Sequence, residues 1–311
     1  MLADLLSFNR TELMPSTRLL LAFTFLISTT AWAKGPAYAT PEEARAAEPG
    51  FDFQGEYIGE GTAVQVIDLG KGQFRAVTYK GGLPGAGWDG SEKQLTQGDR
   101  AAVEAVLAGL KRVERKSPTL GKPAPEGAVV LFDGSKEKLQ AHWKEGAKMT
   151  EDGLLTEGVT SIDTFGSFHL HLEFRLPFMP HDQGQARGNS GCYLQGRYEV
   201  QMLDSFGLEG LDNECGGIYG AARPAVNMCL PPLAWQTYDI DFTAAQFGAD
   251  GQKTKNARVT VRHNGVVIHD DIELPKGTPG GTGGESAEPG PLFLQNHGDP
   301  VRYRNIWVVR K

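Results

Sequence analysis

One nine-residue stretch sets the terms for the fold. In Phe168-His-Leu-His-Leu-Glu-Phe-Arg-Leu176 apolar and polar residues alternate without a break. Successive side chains of a strand point to opposite faces, so this period marks a strand with one face in a core. Leu170, Leu172, Phe174 and Leu176 belong to that face, and His169, His171, Glu173 and Arg175 to the other. Similar short runs recur around 128–132, 153–157, 191–195, 197–203, 236–242, 257–263, 265–270, 291–296 and 302–309, and no long helical pattern separates them. Forty glycines and eighteen prolines supply the turns. An all-β sandwich is expected from about residue 128 onward.

The preceding residues divide by composition. Arg18, the apolar run Leu19–Ser28 and Ala31-Trp-Ala33 make a secretory signal over 1–33, with cleavage expected after Ala33. The run is too short to span a bilayer, and no membrane span is expected after cleavage. Met14 is an alternative start, and no cysteine follows the small residues to carry a lipid. The protein is therefore expected to be exported, to a periplasm or beyond. Residues 34–50 are rich in Ala, Pro and Glu and read as a linker. A small α+β module is expected over 51–117, with a hairpin around Gly70-Lys-Gly72 and a helix from Asp99, its N-cap, to Val113. A second linker, 118–127, leads into the sandwich, 128–311. The stretch from Pro275 to Pro291 is nearly all Gly, Pro, Thr, Ser and Glu and reads as a mobile surface loop. With a net charge of −7 and no basic cluster, nucleic acid is excluded as a partner.

Parity also sorts the candidate site residues. Glu199 and Gln201 share the non-core face of Tyr198–Asp204, as do Tyr193 and Gln195 on the strand before. Phe293, Gln295 and His297 share one side near the end. Carboxylates, amides, an imidazole and an aromatic ring in combination suit a sugar, with its apolar C–H faces and its hydroxyls. Along Tyr198–Asp204 that face carries one carboxylate, Glu199, and Asp204 falls on the opposite parity. Cys192 is placed in the core by the same reasoning, which leaves Cys215 and Cys229 as the expected disulfide of an exported chain.

Ordered motifs extend the reading. These are Leu131-Phe-Asp-Gly134, Trp143, Glu151-Asp-Gly153, Leu172-Glu-Phe-Arg175, Gly188-Asn-Ser-Gly191 and Tyr198–Asp204. Gly216-Gly-Ile-Tyr219, Asn227, Trp235-Gln-Thr-Tyr238, Asn264-Gly265, Leu294-Gln-Asn-His297 and Arg304-Asn-Ile-Trp307 follow. In this order over 128–311 they resemble the 3-keto-disaccharide hydrolases, whose domain is a jelly roll of the concanavalin-like type. The resemblance implies a saccharide substrate already oxidised at C3 by a separate sugar 3-dehydrogenase. A ketone at C3 acidifies the C2 proton, so a general base can remove it, the C1 substituent leaves and water adds. Glu199 and His297 are the expected acid/base groups and Arg175 an enolate stabiliser. Glu173, Asn189, Gln201, Asp204, Tyr219, Asn227, Gln295 and Arg304 are expected to bind substrate. No cofactor is expected. Calcium suits the loops of lectin-like sandwiches, but no D-x-D-x-D-G spacing occurs. A non-catalytic carbohydrate-binding module and an ordinary glycosidase on unoxidised glucan remain alternatives.

Overall fold

The computed structural model describes residues 34–311, so the signal and its cleavage site at 1–33 lie outside the described residues. The chain runs through α1 (Pro41–Ala47) and then β1 (Gly55–Gly59), β2 (Thr62–Asp68), β3 (Gln73–Lys80) and β4 (Gln94–Asp99). Helix α2 (Arg100–Val106) and strand β5 (Lys111–Val113) follow. The sandwich begins with β6 (Val129–Phe132), α3 (Lys136–His142), β7 (Leu155–Thr156), β8 (Val159–Phe165) and β9 (Phe168–Arg175). It continues with β10 (Ser190–Leu194), β11 (Tyr198–Met202), β12 (Trp235–Thr243), β13 (Gln246–Phe247) and β14 (Lys253–Lys255). The last strands are β15 (Ala257–His263), β16 (Val266–Leu274), β17 (Gly290–Leu294) and β18 (Arg302–Arg310).

Two antiparallel sheets make the sandwich. The front sheet has the order β11-β10-β17-β8, and the back sheet β16-β15-β12-β9-β18-β6, with β7 on β18. Leu170, Leu172, Phe174 and Leu176 of the back sheet meet Cys192, Leu194, Val200, Met202 and Leu294 of the front sheet in one buried core. The β-sandwich expected from the alternating pattern, and the jelly roll implied by the family resemblance, are the observed fold. The hairpin at Asn264-Gly265 joins β15 to β16 with φ of 52° and 79°, the left-handed pair that a two-residue turn requires.

Upstream, β4-β3-β2-β1-β5 form a five-stranded antiparallel sheet. Val64, Val66, Phe74 and Ala76 pack under α2 through Val103, while Ile67, Val77 and Tyr79 join the sandwich core. The described residues thus form one compact unit.

Three expectations are corrected here. Residues 34–50 are not a free linker: Thr40 and Glu43 form a capping box for α1, and Ala44 is buried beside Phe178 and Leu233. Asp99 caps α2 as read, accepting from Ala102 N at 3.0 Å, but the helix stops at Val106. The chain then turns at Gly109 (φ 81°) and Lys111–Val113 pairs with β1. The Gly/Pro-rich stretch before β17 is a docked strap rather than a loop free of the body. Thr278 N and Thr282 N donate to Arg197 O and Gly196 O, and Arg197 binds Ser286 and Glu288 O.

Candidate active site

The site is built on the outer face of the front sheet. Glu199 lies directly opposite Tyr193, which lies opposite Phe293. Tyr219 joins this row from the segment 216–219, which pairs with the free edge of β11 through Tyr219 N to Glu199 O and Gln201 N to Gly217 O. The next row holds Gln201, Gly191 and Gln295. Gly191 is required by its neighbour: a Cβ there would fall 2.0 Å from Glu199 Oε1, so the carboxylate lies over a bare backbone.

A chain of hydrogen bonds ties the row together. Tyr193 donates to Glu199 Oε2 (2.7 Å) with Pro279 O also in reach (2.8 Å), and Gln295 Nε2 donates to Tyr193 Oη (3.2 Å). Gln295 Oε1 meets His297 Nε2 at 2.8 Å. Glu199 and His297 are thus brought to opposite ends of one network. Glu199 is only 2% exposed, and burial raises its carboxyl to about 7 against the lowering effect of the Tyr193 hydroxyl. His297 is exposed; partial burial and then the Lys34 ammonium lower its pKa.

The amides complete the floor. Gln201 Nε2 donates to Gln185 Oε1, and Asn189 Nδ2 donates to Gln185 O at 2.8 Å. Asn189 N donates to the buried carboxylate of Asp299, which also holds Lys34. Among the described residues Asn189 Oδ1 is buried with no hydrogen-bond partner. The strap covers this face. Thr278 Oγ1 accepts from Glu199 N, and a Cβ on Gly280 would fall 2.5 Å from Tyr193 Oη.

The remaining candidates lie elsewhere. Glu173, Arg175 and Arg304 are on the outer face of the back sheet, across the whole core from Glu199. Arg304 Nε bonds Glu173 at 2.7 Å, and Arg175 and Arg304 both stack on Trp235. Glu173 also accepts from Gly121 N and Asn305, beside a fully buried His171 held by Asp239 at 2.9 Å. None of these three residues can touch a ligand at Glu199. Parity separates core from non-core, and a sandwich has two non-core faces.

Asp204 pairs with Arg187 (2.6 Å) at the end of β11, and Asn227 pins a loop by donating to Ser205 O and Leu208 O and capping Cys229 N. Both are structural here. Cys215 and Cys229 are not bridged: both are buried free thiols, Cys215 at 3.3 Å from the Tyr238 hydroxyl and Cys229 donating to Leu203 O and Leu230 O. Cys192 is buried in the core. Among the described residues no group of three His, Cys, Asp or Glu side chains is arranged to hold a metal ion, and no helix is long and apolar enough to cross a membrane. Sequence reasoning missed Gln185, Asp299 and Thr278, which reach the site through loops that carry no periodic signal.

A structure of a candidate glycosyl hydrolase from Parabacteroides distasonis ATCC 8503 is 33% identical, with a TM-score of 0.54 over 60% of this chain and 85% of that one. A second candidate glycosyl hydrolase from the same organism is 19% identical over 60% of this chain and 94% of its own, with a TM-score of 0.43. No curated protein matches. The family model described as a 3-keto-alpha-glucoside-1,2-lyase-like domain matches residues 127–309, more than half of the chain. This chain belongs to that glycosyl-hydrolase-like family.

Proposed function

We propose that the protein cleaves glycosides whose sugar carries a ketone at C3, with Glu199 as the acid/base group. The observation that carries this reading is a solitary buried carboxyl poised near neutrality. Among the described residues, Glu199 is the one carboxylate on the outward positions of β8, β10, β11, β17 and the segment 216–219. An ordinary retaining glycosidase needs a second carboxyl about 5–5.5 Å away. Elimination needs only one base of suitable pKa.

In the proposed reaction Glu199 takes the proton from C2, and the electron pair of that bond moves into an enolate with charge on the C3 oxygen. The enolate collapses to a C1–C2 double bond as the C1–O bond breaks and the leaving oxygen departs with the electron pair. Water then adds its hydroxyl at C1, its remaining proton goes to the departed oxygen, and Glu199, its proton exchanged with solvent, delivers one to C2. Tyr193 orients the carboxyl, Gln201 and Asn189 are placed for sugar hydroxyls, and His297 stands at the solvent rim where a leaving oxygen can be protonated. Substrate reaches Glu199 when Thr278–Gly280 lifts from Tyr193.

Cleavage of a 3-keto-disaccharide in D₂O is expected to place deuterium at C2 of the product. Glu199→Gln is expected to lower turnover about 10²–10⁴-fold with the fold intact. Cleavage of the unoxidised parent sugar without deuterium uptake would make the protein an ordinary glycosidase, and full activity of Glu199→Gln would move the site. Export with cleavage after Ala33 belongs to the same proposal, supported by the basic, apolar and A-x-A order of 1–33. N-terminal sequencing of secreted material is expected to begin at Lys34; a start elsewhere contradicts it.

A further inference from the structure

A cavity of about 130 Å³ lies where the N-terminal sheet meets the sandwich. Ile67, Leu69 and Arg75 form one wall, and Arg187, Phe206 and Leu208 the other. The two halves are in intimate contact, since a Cβ on Gly207 would fall 2.5 Å from Ile67 Cδ1. Arg187 is 6% exposed and rigidly held: Nε bonds Asp204 and Nη1 bonds Asp68 O at 3.1 Å. Its third nitrogen, Nη2, is buried with no partner. A buried charged donor without an acceptor is costly, and natural proteins keep few of them.

The cavity is close to the reacting face. The turn Gln183–Arg187 is a wall common to both: Gln185 contacts Gln201 and Asn189, while Gln183, Gly184 and Arg187 line the cavity. From the row of Gln201 and Gly191, over which the Glu199 carboxylate lies, to Asp204 is three residues of chain, at most about 10 Å. That is the span of one further ring beyond a glycosidic bond.

The lining selects the ligand. Ile67, Leu69, Phe206 and Leu208 offer apolar surface for the C–H face of a ring; a cavity of about 150 Å³ takes benzene, so this one, at about 130 Å³, admits part of a single pyranose and no more. Arg187 Nη2 needs an acceptor, Arg75 is engaged among the described residues only by the neutral Gln97, and Asp182 and Gln183 can accept. A bare aromatic ring would leave these groups unpaired, whereas the hydroxyls of a pyranose satisfy them.

We infer that this cavity is a saccharide subsite, built jointly by the N-terminal sheet and the jelly roll, that holds the sugar on the leaving side of the cleaved bond. The upstream sheet, outside the span matched by the family model, thereby selects the substrate. The inference rests on the function proposed above for its place in the reaction, but not for its binding.

Methyl-labelled protein titrated with methyl glucopyranoside and with an unoxidised glucosyl disaccharide tests it without any chemistry. Saturable shifts are expected at the methyls of Ile67, Leu69 and Leu208, and Leu208→Trp, which fills the cavity, is expected to abolish them with Tm unchanged. Arg75→Gln, a half-exposed change that cannot threaten the core, is expected to weaken binding severalfold. With a 3-keto-disaccharide, Leu208→Trp is expected to raise KM about tenfold with kcat unchanged, and to leave KM for a methyl 3-keto-glucoside as it was. Absence of shifts at saturating sugar overturns the subsite, as does binding undiminished in both variants or shifts with phenol but not with sugar. Shifts without turnover of any 3-keto substrate would sustain the subsite and remove the proposed reaction.

Discussion

Glu199 and Glu173 are both buried carboxylates on non-core sheet faces, yet they lie at opposite ends of the acidity scale. Glu199 has one hydrogen-bond donor, Tyr193, and burial carries it up to about 7. At Glu173 burial pushes the same way, but His171, Asn305, Gly121 N and Arg304 together hold it down at about 2. Asp239 behaves likewise, at about 2 beside His171, Thr119 and Lys122. A carboxyl surrounded by donors stays ionised and ties strands together; one left nearly alone can trade a proton at neutral pH. The back face is thus a clasp, fastening the segment 117–122 to β9, β12 and β18, and the front face is where proton chemistry is possible.

The sharpest way to break the contrast is to unfasten the clasp. His171→Leu removes the cation between Glu173 and Asp239 and is expected to cost about 3–5 kcal/mol of stability, while turnover per folded molecule stays unchanged. The pKa of His171 is raised despite burial, and those of the two carboxylates are lowered. Their contribution is therefore full between 4.5 and 6.5, fades below as the carboxylates protonate toward 2, and fades above as His171 loses its proton. Denaturant melts across that range check the sign, and an activity loss larger than the stability loss would place the cluster in the catalytic machinery.

The front face is expected to respond in the opposite direction. A carboxyl raised from 4.5 to about 7 is a burden that grows as pH rises through that interval. Glu199→Gln should therefore stabilise the fold by up to about 3 kcal/mol at pH 8 and by nothing at pH 4. A variant equally stable or weaker at pH 8 would mean that Glu199 is not strained by burial. Smaller still, Tyr193→Phe removes the donor that lowers Glu199, so the acid limb of the pH–rate profile should move to higher pH. Turnover at pH 7 should fall about tenfold, the worth of one hydrogen bond to a charged group.

Much of this was legible from periodicity. Leu170, Leu172, Phe174 and Leu176 proved to be core, and Glu199 with Gln201 proved to share an outer face, because a strand fixes side-chain parity locally. Which outer face a residue occupies depends on sheet order, a non-local property, and so Glu173, Arg175 and Arg304 were grouped with the wrong partners. Strand β8 escaped notice because its apolar residues Val159, Ile162 and Phe165 recur every third position, and Ile162 is in fact 54% exposed. The strap was misread for a related reason. Its Gly- and Pro-rich composition signals a loop, but Arg197, Tyr193 and Tyr198 from elsewhere in the chain hold it down.

The contrast between the two faces can be measured directly by following the side-chain carboxyl carbons of Glu199 and Glu173 through a pH titration of ¹³C-glutamate-labelled protein. Glu199 is expected to titrate near 7 and Glu173 to remain ionised until about 2. A Glu199 midpoint near 4.5, the ordinary glutamate value, would contradict its assignment as the acid/base group of the front face.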